Sequence, residues 1–256
     1  MKNSKILLSC LLATAVLSGC KNMSGTVNTD ALVGSGMSAY KAATLSDADM
    51  RSLTDQACKQ SDSESQIASA SSKYTKRLNK IAKSLGNNIN GLPVNYKVYL
   101  TNDANAWAMA NGCIRVYSGL MDMMTDNEIE GVLGHEMGHV ALGHSRKAMQ
   151  AAYATLAARD AITATGGTAA QLSQSQLGDL TEAVINSAFS REQESQADDF
   201  SYEYMKKQHL STQGLATSFD KLAKLDGGAS KSLFDSHPPS AERAQHIRER
   251  ISADRK

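Results

Sequence analysis

Hydrophobic and polar positions follow two different spacings along this chain. Residues 46–49 (Ser-Asp-Ala-Asp) offer a helix start, and a second helix is indicated by apolar residues three or four apart before a glycine: Tyr74, Leu78, Ile81 and Leu85. Apolar and polar residues then alternate over 94–100 and again over 113–117, with β-branched and aromatic side chains. The pattern predicts helices followed by two strands joined by an irregular connection.

Capping signals predict the helices of the second half. Thr125 and Glu128 have the spacing of a capping box, so we predict a helix that begins at Asp126 and continues to about Arg146. The residues Asp179-Leu180-Thr181-Glu182 repeat that spacing and predict a second long helix that continues to about 207. Two shorter helices complete the prediction, over 211–227 and from about 240 onward.

The first twenty residues differ from the rest. Lys2 and Lys5 precede an apolar run over 6–17, which is too short to span a bilayer and is typical of a signal-peptide core. The following Leu17-Ser18-Gly19-Cys20 resembles the bacterial lipobox, in which the cysteine is diacylated and becomes the new N-terminus. We therefore predict a signal peptide over 1–19 and a lipid on Cys20. A plain secretory signal that happens to precede a cysteine is the alternative.

The residues after the predicted lipidated cysteine suggest a location in the cell. Lys21, rather than Asp, follows Cys20, and in enterobacterial lipoproteins that pattern is associated with the outer membrane. We predict an outer-membrane lipid anchor on the periplasmic side, with membrane contact through the lipid. Residues 20–45 are rich in Ser, Gly, Thr, Asn and Ala and are predicted to form a flexible tether.

The length and net charge of the chain limit its possible partners and its number of domains. The chain has 256 residues and a formal charge of +1, and loss of the two leader lysines lowers that charge to −1. Such a balance produces no field that attracts nucleic acid, so we predict no nucleic-acid partner. The remaining length favours one folded domain over 46–256.

Two cysteines remain once Cys10 is lost with the leader and Cys20 is lipidated. In an oxidising compartment, Cys58 and Cys113 are predicted to form a disulfide, and two buried free thiols are the alternative. The loop between them exceeds fifty residues, for which closure stabilises the fold by about 3 to 4 kcal/mol.

His135-Glu136-Met137-Gly138-His139 has the pattern H-E-x-x-H. Four residues on a helix correspond to about 40° of rotation, so both imidazoles can reach one ion. A catalytic zinc takes three protein ligands and leaves its fourth position to water. Glu136 lies about 100° further round the helix, beside the metal, where it can accept a proton from that water. A histidine pair packed in a core is the alternative reading of the motif.

The third ligand decides between zincin classes. A metzincin arrangement is excluded because Leu142 and Ser145 occupy the positions where it needs Gly and His. Glu194 and Asp198 lie four residues apart on the second predicted helix, which is the gluzincin arrangement: Glu194 binds zinc, and Asp198 accepts a hydrogen bond from a ligand imidazole. Taken alone, this acidic stretch also suits a solvated helix face. His144 lies far from the motif histidines round the predicted helix, so we expect a surface or packing role.

The sequence resembles the HtpX and CAAX-prenyl-protease family of gluzincin peptidases, in particular its periplasmic lipoprotein branch. The likeness extends from about residue 45 to the C-terminus. It is carried by Asn105-Ala106, Gly112-Cys113-Ile114-Arg115-Val116, Gly134-His135-Glu136-Met137-Gly138-His139, Ser190-Arg191, Glu194, Ala197-Asp198, His237-Pro238 and Arg243. The resemblance implies a mostly α-helical α+β zincin domain with a small antiparallel sheet. It implies one zinc ion per chain, held by His135, His139 and Glu194, with Glu136 as the catalytic glutamate and Asp198 as the supporting acid.

The resemblance also bears on the C-terminal region and on peptide binding. His237 could stabilise an oxyanion, occupy the open zinc position in a latent state, or merely precede a proline turn. Arg243 could pair with an acid near the site or face solvent. In gluzincins the strand before the metal helix lies at the sheet edge and a peptide adds to it, so we expect 114–117, with 106–110, along the cleft.

These observations predict a zinc endopeptidase of the bacterial cell envelope that hydrolyses unfolded or misassembled proteins. Its expected partners are protein or peptide substrates, the membrane that holds its lipid, and envelope proteins that the sequence does not identify. One alternative is a zinc-stabilised chaperone or assembly factor for envelope proteins with little hydrolysis. A second is an interaction protein without metal.

Overall fold

Helices dominate the computed structural model, which describes residues 45–160, 172–224, 237 and 241–255. The helices are α1 (Asp47–Glu64), α2 (Lys73–Leu85), α3 (Ser118–Met123), α4 (Asp126–Ala141), α5 (His144–Arg159), α6 (Gln174–Ile185), α7 (Arg191–Lys207), α8 (Gln213–Ala223) and α9 (Ala241–Ala253). The strands are β1 (Asn88–Ile89), β2 (Leu92–Pro93), β3 (Asn95–Tyr99), β4 (Ala106–Ala108) and β5 (Cys113–Tyr117). The predicted α+β class is confirmed. The predicted signal peptide, Cys20 and nearly all of the tether lie outside the described residues.

Side chains that cap the first turn explain where several helices begin. The Ser46 hydroxyl accepts a hydrogen bond from the Asp49 backbone N–H at the start of α1. At the start of α4 the predicted capping box is present, since Thr125 accepts from the Glu128 N–H and the Glu128 carboxylate accepts from the Thr125 N–H at 2.8 Å. Each bond satisfies an N–H that has no partner within the helix.

The predicted continuation of the first capped helix to Arg146 is wrong. Helix α4 ends at Ala141, and Gly143 has a φ of 75°, in the left-handed region that glycine adopts without strain. Helix α5 then starts at His144 in a new direction. His144 therefore does not share a helix with the H-E-x-x-H motif, and its predicted angular position does not apply.

The predicted long helix from Asp179 to 207 is also wrong. The chain forms α6 and α7 there, and each begins with its own Ser-x-x-Gln capping box, at Ser173 with Gln176 and at Ser190 with Gln193. Asp179 lies inside α6 and caps nothing. Because Gln can replace Glu in a capping box, both signals were present in the sequence.

The larger sheet has the strand order β3-β5-β4 and is mixed rather than wholly antiparallel. Strands β3 and β5 are parallel, with Asn95 opposite Cys113, whereas β4 and β5 are antiparallel. The connection between β3 and β5 includes β4, so the chain reverses twice and β5 runs in the direction of β3. Strands β1 and β2 form a separate antiparallel pair.

This order corrects the expected peptide-binding strand. Strand β5, which contains residues 114–117, has a partner on both sides and cannot accept a further strand. The outer side of β3 is contacted by Gln66 and Ala68 through hydrogen bonds of 2.7 and 2.9 Å to Leu100 and Val98. Strand β4 is at the other edge and packs against α4.

Two hydrophobic clusters hold these elements together. The first lies between the sheet and the helices α2, α4, α7, α8 and α9, and includes Leu78, Ile114, Leu133, Met137, Tyr202 and Leu215. The second joins α1, α5 and α6, and includes Leu53, Met149, Tyr153, Leu156 and Leu180. A disulfide between Cys58 and Cys113 connects α1 to β5. Among the described residues, no helix has the length and hydropathy needed to cross a bilayer.

Helices α4 and α7 approach at backbone distance. A Cβ placed on Gly138 would lie 3.0 Å from the carbonyl oxygen of Ala197, and one on Gly134 would lie 2.5 Å from the Ser201 hydroxyl. The Ser201 hydroxyl donates to the Gly131 carbonyl at 2.9 Å. These glycines therefore set the distance between the helix that carries the H-E-x-x-H motif and the helix that carries Glu194.

Candidate metal centre

Four side chains from separate parts of the chain meet beneath the surface. His135 and His139 come from α4, Glu194 comes from α7, and His237 precedes α9. One ligand atom from each lies within 4.8 Å of all the others, and all four residues are buried. Within the described ranges this is the group of His, Cys, Asp and Glu residues that could hold a metal ion.

The spacing of the donor atoms suits a tetrahedral ion. The Nε2 atoms of His135 and His139 are 3.0 Å apart, and the Glu194 carboxylate oxygens lie 3.3 Å from Nε2 of His139 and 3.6 Å from Nε2 of His135. Zinc–ligand bonds of roughly 2.0 Å in a tetrahedron place the ligand atoms about 3.3 Å from each other. The three groups are therefore positioned to bind a single ion.

His237 completes the group. Its Nδ1 lies 3.2 Å from Nε2 of His135 and 2.9 Å from a Glu194 oxygen, and its Nε2 lies 3.5 Å from Oε1 of Glu136. Burial acts to lower the pKa of His237, but the carboxylates of Glu136 and Glu194 outweigh it and raise that pKa. The ring thus lies inside the cluster, between the ligand groups and the motif glutamate.

Glu136 also faces the metal cluster, and one of its carboxylate oxygens has no hydrogen-bond partner among the described residues. Its side chain is buried, and its Oε1 accepts no hydrogen bond from the described residues. Burial raises the pKa of this carboxyl, which brings its affinity for a proton closer to neutral pH. An orphaned carboxylate oxygen beside three metal-binding groups fits a site built for a metal and the water that it activates.

Asp198 orients His135 from behind. Its Oδ1 lies 2.8 Å from Nδ1 of His135, so the imidazole donates from Nδ1 and presents Nε2 to the cluster. Burial favours the neutral acid, but the Arg243 guanidinium outweighs it and lowers the pKa of Asp198. Arg243 donates to Asp198 from Nε at 2.7 Å and from Nη2 at 2.6 Å.

Arg243 also pairs with the proposed third ligand. Its Nη1 lies 2.7 Å from Oε2 of Glu194. Of the two predicted positions for this arginine, the structure shows the one beside an acid. One guanidinium therefore contacts two buried carboxylates and connects α9 to α7.

His144 contacts His139, the second histidine of the motif, and the sequence analysis did not predict this contact. Its Nδ1 lies 3.1 Å from Nδ1 of His139, its Nε2 lies 3.1 Å from the side-chain oxygen of Gln196, and it is buried. The expected surface or packing role assumed a continuous helix. Because Gly143 breaks that helix, the first residue of α5 is directed back toward the site, and this glycine was the available signal.

Phe189 was missed as well. Its ring stacks on the ring of His139 with centroids 3.9 Å apart. Burial lowers the pKa of His139 well below its ordinary value, so the imidazole stays neutral and can bind a metal. The apolar spacing of the sequence places Phe189 on the long predicted helix, but it lies in the connection between α6 and α7, so helical spacing does not give its position.

Comparison with known proteins agrees with this geometry. The model of Peptidase family M48 matches residues 71–251. The chain is 65% identical to Metalloprotease YcaL of Escherichia coli (strain K12) over 253 residues, and 59% identical to Metalloprotease LoiP of the same strain over 254 residues; each alignment covers 99% of both chains. A Protease HtpX homolog of Campylobacter curvus (strain 525.92) is 33% identical over 148 residues, which are 50% of this chain and 51% of that protein.

These matches confirm the resemblance to the HtpX-type peptidases. The family match includes both helices of the metal centre and the C-terminal helix that carries Arg243. The chain belongs to peptidase family M48 and is a metalloprotease.

Proposed function

We propose that this metalloprotease is a zinc endopeptidase of the bacterial cell envelope that hydrolyses unfolded or misassembled proteins. The observation that carries the proposal is the convergence of His135, His139 and Glu194, with donor atoms 3.0 to 3.6 Å apart. Two imidazoles and one carboxylate are a ligand set of catalytic zinc. Zinc bound there would supply a Lewis acid that activates water and polarises the peptide carbonyl.

Glu136 is the proposed general base. Its Oε1 faces the cluster and accepts no hydrogen bond from the described residues, and its raised pKa favours acceptance of a proton from water and its later transfer to the leaving amine. Asp198 and Arg243 hold His135 in the tautomer that presents Nε2. The Nε2 of His237, 3.5 Å from Glu136, is placed to donate to an oxyanion that develops next to that glutamate.

Strand β4 is the proposed binding edge for the substrate backbone. It is the edge strand of the larger sheet and packs against α4, so its outer side runs beside the helix that carries the motif. A peptide that pairs with Ala106–Ala108 would bind mainly through its backbone, with little sequence demand. Such recognition requires an extended chain, which unfolded proteins supply and folded ones do not.

The proposed location is the periplasmic side of the outer membrane, with a lipid on Cys20. The lipobox-like residues before Cys20 and the Lys that follows it support this address. The disulfide between Cys58 and Cys113 also favours an oxidising compartment over the cytosol. Incorporation of labelled palmitate into the wild-type chain but not into Cys20→Ser, followed by membrane fractionation, tests the anchor. Equal labelling of the two chains would contradict it.

A second candidate is a zinc-stabilised chaperone or assembly factor with little hydrolysis. The position of His237 favours it, because Nδ1 lies 2.9 Å from Glu194 and 3.2 Å from His135, close enough to occupy the remaining zinc position. A chain held in that state would keep its metal without offering a site to water.

Digestion of a permanently unfolded protein separates the two candidates. Wild-type protein should cleave it, a chelator should stop cleavage, and added zinc should restore it. Glu136→Gln should keep its zinc and lose activity by about 10²-fold to 10⁴-fold, since it removes the base without removing a ligand. Glu192→Gln, which changes an exposed glutamate on α7, is the matched control.

Metal content gives the second measurement. His135→Ala should purify with far less zinc than wild type, whereas Glu136→Gln should not differ from wild type in zinc content. If Glu136→Gln digested the protein at the wild-type rate, the hydrolytic mechanism would be wrong. If wild-type protein and Glu136→Gln both failed to digest the unfolded protein but suppressed its aggregation equally, the chaperone function would be the better account.

A further inference from the structure

The guanidinium of Arg243 lies against two of the proposed metal ligands. Its Nη1 is 2.7 Å from Oε2 of Glu194, and its Nη2 is 3.5 Å from Nε2 of His135. The Glu194 carboxylate and Nε2 of His135 are groups that would bind the ion. A metal ion held by these ligands would therefore lie close to a positive charge that belongs to the protein.

Two neighbouring side chains fix the guanidinium in this position. Asp198 accepts hydrogen bonds from its Nε at 2.7 Å and from its Nη2 at 2.6 Å. The ring of Phe219, which is buried, has its centroid 4.2 Å from the guanidinium carbon. The Arg243 side chain is only 12% exposed. Water therefore screens its charge less than it would screen an arginine at the surface.

The carboxylates around Arg243 outnumber its charge. Glu194 and Asp198 are both buried, and Arg243 offers one positive charge to the two of them. The imidazole of His237, 2.9 Å from Glu194, can add a second charge when it is protonated, but it is also a potential zinc ligand. Loss of the guanidinium would leave two buried carboxylates that repel each other, and this repulsion is costly away from water.

We propose that Arg243 is a positioning residue that acts as a fixed counter-charge, holding Glu194 and Asp198 in place before zinc binds and lowering the affinity of the site for zinc. The proposal rests on the proposed zinc ligands and adds a residue that regulates how tightly they hold the ion. The guanidinium attracts the carboxylates and repels the metal ion, so it stabilises the metal-free fold more than the metal-bound one. Zinc could then bind to a domain that is already folded, unlike in small domains that need zinc to fold.

A purely orienting role for Arg243 predicts the opposite change in zinc affinity. Arg243 contacts Asp198, and Asp198 orients the imidazole of His135. Loss of such an outer partner typically weakens metal binding by about 10-fold to 100-fold. Loss of a counter-charge should instead strengthen it. The direction of the change therefore separates the two roles.

Two substitutions separate the charge of Arg243 from its hydrogen bonds. Arg243→Gln removes the charge but keeps an amide that can donate to Asp198, and it should bind zinc about tenfold more tightly than wild type, because the repulsion of the ion is lost. Arg243→Lys keeps the charge without the forked geometry, and its zinc dissociation constant should stay within about threefold of the wild-type value. Competition with a chromogenic chelator measures both constants on the full chain.

Stability without metal is the second measurement. In the presence of a chelator, Arg243→Gln should melt at a lower temperature than wild type, and saturating zinc should raise its melting temperature by more than it raises that of wild type. A glutamine variant that folds only with zinc would support the proposal in the same way. One that stays unfolded at saturating zinc would overturn it, because the charge of Arg243 would then not be what the fold requires.

Arg248→Gln is the matched control, because Arg248 lies on the same helix and pairs with Asp220, which belongs to none of the metal-binding groups. It should bind zinc like wild type, and an equal gain in affinity in both glutamine variants would overturn the proposal. Unchanged or weaker zinc binding by Arg243→Gln would also overturn it, as would a lysine variant that matched the glutamine variant. If wild type bound zinc no better than His135→Ala, the proposed metal site would fail, and this proposal with it.

Discussion

Nδ1 of His144 lies 3.1 Å from Nδ1 of His139, on the side of that imidazole that faces away from the metal cluster. If Nε2 of His139 binds metal, its Nδ1 carries the proton and donates it to His144. His144 must then carry its own proton on Nε2, which donates to Gln196 at 3.1 Å. His144 thus accepts a hydrogen bond from His139 and fixes its tautomer, as Asp198 does for His135, but His144 does so as a neutral group.

We expect His144→Leu to bind zinc about 10-fold to 100-fold more weakly than wild type, because the His139 ring loses the acceptor that fixes its tautomer and orientation. His144→Asn, which retains an acceptor oxygen, should lose less. Competition with a chromogenic chelator measures the dissociation constants. Zinc affinity in His144→Leu within twofold of wild type would show that the contact is only a packing contact.

Close packing of α4 on α7 predicts a second effect on metal binding. In Gly138→Ala the new Cβ meets the Ala197 carbonyl oxygen at 3.0 Å and the Ala197 Cα at 3.1 Å, and backbone atoms cannot move aside alone. We expect a loss of about 1 to 3 kcal/mol in unfolding free energy and weaker zinc binding, because α7 carries Glu194. Urea denaturation and the chelator assay measure the two effects.

Gly178→Ala is the control for that substitution. Gly178 lies inside α6, and a Cβ there would meet nothing within 4 Å. Because alanine is the better helix former, this variant should be more stable by about 0.5 to 1 kcal/mol and should bind zinc like wild type. A destabilised Gly178→Ala, or an unaffected Gly138→Ala, would contradict the role assigned to the helix contact.

The ion pair between the half-buried Asp62 and the buried Arg115 predicts how stability depends on pH. Burial acts to raise the pKa of Asp62, but hydrogen bonds from Arg115, Lys97 and Tyr99 outweigh it and lower that pKa from 3.8 to about 2. A lowered carboxyl pKa stabilises the fold above the unfolded-state value. We therefore expect about 2 kcal/mol of unfolding free energy to disappear as pH falls from about 4 through 2.

Asp62→Asn isolates that contribution. The variant should be less stable than wild type at pH 7 by about 2 kcal/mol, because the neutral amide cannot make the charged contact with the buried Arg115. The difference between the two proteins should shrink as the pH is lowered to 2. Urea titrations in the presence of a chelator keep metal release out of the measurement, and a constant difference across this range would contradict the assignment.

The disulfide between α1 and β5 closes a loop of 55 residues, so its removal should be costly. We expect Cys58→Ser with Cys113→Ser to lower the unfolding free energy by about 4 kcal/mol, mainly because the unfolded chain gains freedom. A reductant should lower the stability of wild type by a similar amount and leave the double variant unchanged. Equal stability of oxidised wild type and double variant would show that the bridge contributes nothing.

Local interactions account for what the sequence alone determined. The capping box at Thr125 and the four-residue spacing of His135 and His139 act within two turns of one helix, where backbone hydrogen bonds fix the geometry. The two imidazoles could thus be placed on one face before any fold was known. Glu194 could not be placed in this way: its four-residue spacing to Asp198 suggested the third ligand, and the family resemblance implied the same assignment.

Longer-range packing decided the rest. The distance between α4 and α7 depends on glycines that meet Ala197 and Ser201, and the strand directions depend on how the connection containing β4 crosses the sheet. The continuous helix expected through His144 failed at one glycine in the left-handed region. A helix break changes the position of every residue that follows it, so the contacts of His144 and Phe189 with His139 could be found only in the tertiary structure. Hydrophobic periodicity specifies which face of a helix is buried, but the partner of that face is chosen by the whole chain.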